Sequence, residues 1–193
     1  MQYTARSFET LFGMEGFSDT LLKNHFTLYQ GYVANTNKVA EMLSGLLKEG
    51  KTGPEYAELR RRFGWEWNGM RLHEYYFENL GGAGKGGPGS GFARQVAQAW
   101  GSFEDWQKEF TAIGTMRGIG WVVLYQDTAT GHLFNLWINE HDAGHAAGAT
   151  PILVMDVFEH AFLTDYGLKR ADYVQAFWKN VDWAAVENRL KAA

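Results

Sequence analysis

Residues 80–91 read LGGAGKGGPGSG, with seven glycines and one proline. Such a run sustains neither helix nor strand: glycine loses the most backbone freedom on ordering, and proline lacks the N–H that both ladders need. The chain therefore divides into residues 1–82 and 91–193, with 83–90 as a flexible connection. Before the break, apolar residues recur at helical spacing. Ser18 or Asp19 caps a first long helix that stops at Gly50, and Pro54 opens a second. Two long helices with a short connection predict an antiparallel helical hairpin.

After the break the period changes. GFARQVAQAW and SFEDWQKEF are helical, and SFED has the capping-box form with Asp105 in the place of Glu. GWVVLYQ and HLFNLWIN are rich in β-formers, DTATG joins them as a hairpin loop, and TPILVM supplies a third strand. The tail from Asp156 onward reads as helical. The expected class is α+β: an N-terminal helical hairpin followed by helices packed on a small three-stranded antiparallel sheet.

With 193 residues, 46% of them hydrophobic, the chain can bury a sizeable core. A net charge of −4 argues against a nucleic-acid partner. There is no cysteine, so disulfides and thiol catalysis are out, and any metal must be held by His, Asp or Glu. No apolar run approaches the roughly 20 residues of a membrane span, and MQYTARSFET lacks the apolar core of a signal peptide, so the expected location is the cytoplasm, away from membranes.

The stretch DVFEH places Asp156 and His160 four residues apart, directly after an apolar strand. On a helix they share one face. His25 lies on the inner face of the first helix, with Tyr29 and Tyr32, and His73 lies next to Tyr76 in the second. A buried aspartate is costly unless paired or ligated. Three imidazoles and one carboxylate suit a mid-series transition metal such as Fe, Mn or Zn, and spacing alone does not choose among them. The plainer reading is a solvent-facing Asp156–His160 pair. His132 falls in the hairpin turn and is expected to be exposed; His145 has no evident task.

Together these motifs resemble the iron/manganese superoxide dismutase family. ATPILVMDVFEHAFLTDY is similar to the family signature, GIGWVVLY to its Gly-Ser-Gly-Trp strand, and WGSFEDWQKEFTAIG and ADYVQAFWKNVDW to its later helices. The resemblance implies that His25, His73, Asp156 and His160 ligate one Fe or Mn ion per subunit, and that the substrate is superoxide. It makes Tyr32 the tyrosine at the substrate entrance, and His141 the group hydrogen-bonded to the metal's water. Trp121 matches a pocket tryptophan, Tyr76 stands around the ligands or at the interface, Arg170 lies near the funnel, and Glu159 crosses to the partner's ligand histidine in a homodimer or dimer of dimers. Gly69 stands where iron-type members often carry Gln.

The chain also departs from the pattern. His25 lies seven rather than eight residues before Tyr32, with Asn24 at the eighth, as expected if the first helix lacks a one-residue π-type bulge. Phe158 replaces the signature Trp. Leu163 replaces the second tyrosine, and the histidine that would pair with it gives way to Leu28 or Tyr29. A single carboxylate among neutral imidazoles suits a metal that shuttles between +3 and +2, because proton uptake on reduction keeps the buried charge constant. The competing expectations are another metal-dependent enzyme, or a non-catalytic metal-binding protein, on the same scaffold.

Overall fold

The computed structural model describes residues 2–83 and 85–192. Helix α1 (Asp19–Lys48) starts where Ser18 Oγ accepts from the Leu21 N–H, and the chain turns out of it at Gly50, with φ of +69°. Its buried stripe, Leu22, Phe26, Tyr29, Val33 and Leu43, follows the helical period and carries His25 inward with it. Helix α2 (Pro54–Glu78) begins on Pro54 and buries Met70, His73, Tyr76 and Phe77 against α1. The expected hairpin of long helices is therefore present.

Helices α3 (Ser90–Trp100) and α4 (Phe103–Gly114) follow the glycine-rich segment. Ser102 caps α4 by accepting from the Asp105 N–H, while its hydroxyl donates to the Asp105 carboxylate, so aspartate closes the capping box by a shorter route than glutamate takes. Strands β1 (Trp121–Asp127), β2 (Leu133–Ile138) and β3 (Ala149–Asp156) form one antiparallel sheet in the order β2-β1-β3. The β1–β2 loop is held by Asp127, whose carboxylate accepts from Ala129 N–H and Thr130 O–H. Trp121 to Leu124 are fully buried, as the middle strand of a covered sheet requires.

The tail differs from the expected run of helix. Asp156 is the last residue of β3, and the chain then makes a 3₁₀ turn over Glu159–Ala161 and a single turn α5 (Leu163–Tyr166) before α6 (Arg170–Asn180) and α7 (Trp183–Ala192). The pull of the sheet explains this: Asp156 pairs with Trp121 across the ladder, and Val157 N–H donates to Gly120 C=O, which keeps the backbone extended to the strand end. Gly120 is needed there, because a Cβ would sit 2.0 Å from Ile138 O.

Asn79 ties the two halves together. Fully buried just past α2, it donates from Nδ2 to Val154 C=O and accepts at Oδ1 from Val154 N–H, completing the hydrogen bonds of β3. A second clasp sits at the start of α1, where the Asp165 carboxylate accepts from both the Ser18 N–H and the Ser18 O–H.

Candidate metal centre

The structure brings His25, His73, Asp156 and His160 together, with one ligand atom from each lying within 4.8 Å of all the others. They come from α1, α2, the end of β3 and the turn after it. Asp156 and His160 therefore meet because a strand end runs into a tight turn, and the shared helix face expected from their spacing is absent. His25, His73 and Asp156 are buried, while the His160 side chain keeps 28% of its exposure.

Three imidazole nitrogens converge on one oxygen. Asp156 Oδ2 lies 3.1 Å from His160 Nε2, 3.2 Å from His25 Nε2 and 3.7 Å from His73 Nε2. Donors about 2.1 Å from a common ion stand roughly 3.0 Å apart at a right angle and 3.6 Å apart at 120°. The three carboxylate–imidazole edges match that polyhedron. The other carboxylate oxygen, Oδ1, accepts from the Phe158 N–H at 2.8 Å, which leaves Oδ2 free for the centre.

The protons are arranged to suit. His73 Nδ1 donates to Gly69 C=O at 2.5 Å, so Nε2 is the bare nitrogen, and it is buried without a hydrogen-bond partner. That orphaned atom is the feature a bound cation explains. Burial pushes the His73 ring well below its ordinary pKa, and burial likewise lowers His25 against the pull of Asp156. Both rings are neutral, as ligands must be. Burial alone would raise the Asp156 carboxyl, but the rings of His160 and His25 outweigh it and hold the group below the usual carboxylate range. Helix α1 is α-helical throughout, with no π-turn, and His25 rather than the exposed Asn24 faces the cluster.

His141 stands beside this group in a box of aromatic rings: Trp65, Trp121, Phe158 and Tyr32. Trp121 Nε1–H donates to His141 Nδ1 at 3.1 Å. An indole nitrogen only donates, so Nδ1 carries no proton. Burial lowers this ring to about 4, so it is neutral and its proton sits on Nε2. His141 Nε2–H then donates to Tyr32 Oη at 2.7 Å, and the Tyr32 hydroxyl proton remains available to another acceptor. The hydrogen bond His141 gives thus goes to Tyr32. The Tyr32 ring stacks on His73 at 5.2 Å and fills the space above Gly69, where a Cβ would come within 2.6 Å of it.

The remaining expected residues take distinct places. Tyr76 packs on His25 and donates to Tyr173 Oη, which in turn donates to the Asp156 backbone carbonyl. Phe158 stacks on His160 at 5.4 Å, where the signature Trp would lie. Glu159 and Leu163 are exposed. Arg170 donates to the carbonyls of Met116 and Gly118 and lines a groove with Glu159, Leu163 and Leu168. Tyr29 turns inward to Glu74, whereas Leu28 stays half-buried near the surface. His132 is exposed, as expected. His145, which lacked a task in the sequence, donates from Nε2 to His141 C=O at 2.6 Å; its position one helical-turn spacing after His141 was the available signal. Tyr173 and Asn79 gave no such signal.

The C-terminal part of the chain, residues 88–189, matches the family model for iron/manganese superoxide dismutases, C-terminal domain. The chain is 37% identical to an iron superoxide dismutase of Saccharolobus solfataricus over 84% of this chain and 80% of that one. It is 36% identical to an iron superoxide dismutase of Cupriavidus metallidurans, over 93% and 91%. It is also 36% identical to a manganese superoxide dismutase of Haloferax volcanii, over 88% and 84%.

Proposed function

This chain belongs to the iron/manganese superoxide dismutase family, and on that premise we propose that His25, His73, Asp156 and His160 hold the one Fe or Mn ion with which it converts superoxide to dioxygen and hydrogen peroxide. The observation that carries this assignment is the convergence of three imidazoles on a single carboxylate oxygen, with the His73 Nε2 left bare. When bound, the ion supplies a one-electron couple between its +3 and +2 states.

The side chains do the rest. Asp156 contributes one negative charge, and its second oxygen is locked on the Phe158 N–H, so the carboxylate cannot swing. In this reading Tyr32, stacked on His73, is the tyrosine at the substrate entrance and holds a proton at Oη. Burial, reinforced by Asp156, raises that hydroxyl to about 12, so it stays protonated across the physiological range. His141 orients it by donating to Oη, and Trp121 orients His141. A hydroxyl held in this way can give a proton to a reduced oxygen species and recover it from water. We assign Arg170 to the edge of the substrate funnel, where its charge would offset the net negative charge of the chain and favour an anionic substrate.

Two copies would complete the design. Glu159 and Leu163 are exposed next to the half-covered His160, and Leu168 is 97% exposed. We assign this face to a homodimer in which Glu159 accepts from the partner's His160, with an apolar contact at Leu163 and Leu28 in place of a tyrosine–histidine bond. A dimer of such dimers would use other surfaces. The division into units 1–82 and 91–193 about the glycine-rich segment, and a cytoplasmic location, belong to the same reading; among the described residues no helix is long and apolar enough to cross a membrane.

The test is to strip the full-length protein of metal, restore Fe, Mn or Zn singly, and follow superoxide decay. Decay restored by Fe or Mn and not by Zn supports the reading. Restoration by none of them refutes it.

A further inference from the structure

We propose that His145, with Tyr125 behind it, is a positioning residue for His141: a brace that fixes the backbone of the one loop residue bonded to both Trp121 and Tyr32.

His141 lies in the connection between β2 and β3, whose neighbouring residues Asp142, Ala143 and Gly144 are exposed. Exposed loop backbone is not held in place by packing. Yet His141 must keep Nδ1 on an indole N–H at 3.1 Å and Nε2 on a phenol oxygen at 2.7 Å at the same time. Beyond the Glu140–Ala143 bridge that spans the turn, the structure supplies a side-chain restraint on the His141 carbonyl through His145. Its Nε2–H donates to His141 C=O at 2.6 Å, and its Nδ1 faces Tyr125 Oη at 3.2 Å. With the proton on Nε2, Nδ1 is an acceptor, so the tyrosine donates.

Tyr125 is buried in β1, four residues after Trp121, and alternation along a strand sends both side chains to the same face. One rigid central strand therefore grips His141 at two points. Trp121 holds the ring directly. Tyr125, through His145, holds the carbonyl. Two restraints fix a residue's rotation where one leaves a pivot. The direction of the proton on His141, and with it the free hydroxyl proton of Tyr32, depends on that rotation. The catalytic half of this inference rests on the role assigned to His141 and Tyr32 above; the brace itself does not.

The variants His145→Ala, His145→Gln and Tyr125→Phe test it in the full-length protein. Ring ¹⁵N signals of His141 are read with zinc bound, a diamagnetic ion that accepts the same ligand types. Wild type should show one protonated and one bare ring nitrogen. In His145→Ala the two signals should move toward each other, with kcat of the Fe- or Mn-loaded enzyme down about tenfold, the low end for loss of an outer partner, and KM within about twofold. His145→Gln, whose amide N–H can reach the same carbonyl, should recover most of both. Tyr125→Phe, which removes only the hydroxyl, should shift the signals in the same direction but less. Unchanged ring signals and kcat in His145→Ala overturn the proposal. If that variant does not fold, unchanged ring signals in Tyr125→Phe overturn it. A wild type with the expected ring signals but no dismutation would sink the site assignment and leave the brace standing.

Discussion

At the residue scale, the chemistry turns on where protons are absent. His25 and His73 fold as neutral rings because burial outweighs the attraction of Asp156, and His141 is lowered to about 4 for the same reason. Unfolded, each ring titrates near the ordinary 6.5. Below that pH the unfolded chain binds more protons than the folded one, so stability falls on acidification and keeps falling until the folded rings protonate in turn. The metal-free protein should therefore melt at least about 5 °C lower at pH 5 than at pH 7.5, given roughly 2–4 °C per kcal/mol at this chain length. Equal melting temperatures by calorimetry would mean that the rings are charged in the fold. Gly69 offers a second check. A methyl there meets the Tyr32 ring at 2.6 Å, so Gly69→Ala should displace Tyr32 from His141 and reduce dismutation about tenfold, in line with loss of other outer partners, while metal content holds. Wild-type turnover in this variant would show that the Tyr32 position does not matter.

At the scale of elements, the centre is assembled by two small clasps that join parts distant in the chain. Asn79 fastens the end of α2, which carries His73, to Val154, two residues before Asp156. Asn79→Ala strands a buried N–H and a buried C=O, at about 1–3 kcal/mol each. Denaturant unfolding should report a loss of about 2–6 kcal/mol, and an unchanged midpoint would mean that water replaces the amide. The long helices, the capping serines, the hairpin loop and all three strands were legible in the sequence, because local periodicity and turn chemistry decide them. The tail was not. DVFEHAFLTDYG has the residue types of a helix, but Asp156 stays in the ladder opposite Trp121, and a tertiary pairing overrides local preference. The four clustered residues could be picked out because buried histidines and aspartate stand out among apolar neighbours. Asn79, Tyr173 and His145 act through backbone atoms far along the chain or in a loop, and no spacing rule marks such partners.

At the scale of the molecule, the centre lies near a surface that this chain leaves open. Glu159, Leu163 and Leu168 line it, and His160, next to Glu159 in the chain, is the ligand candidate that retains exposure. If a second copy covers this face, Glu159→Ala should weaken the dimer in sedimentation and lower dismutation in parallel. A wild-type protein that is fully active as a monomer would separate assembly from catalysis. The claim on which the rest depends is that one carboxylate and three imidazoles hold a redox metal. Asp156 is the sole anion of the set, so Asp156→Ala leaves an ion with three neutral ligands and one more positive charge in a buried site. The decisive measurement is metal content and superoxide decay on wild type and Asp156→Ala, prepared side by side. The expected result is Fe or Mn near one per chain with dismutation in the wild type, and loss of both together in the variant. A variant that keeps its full metal and full activity would contradict the account.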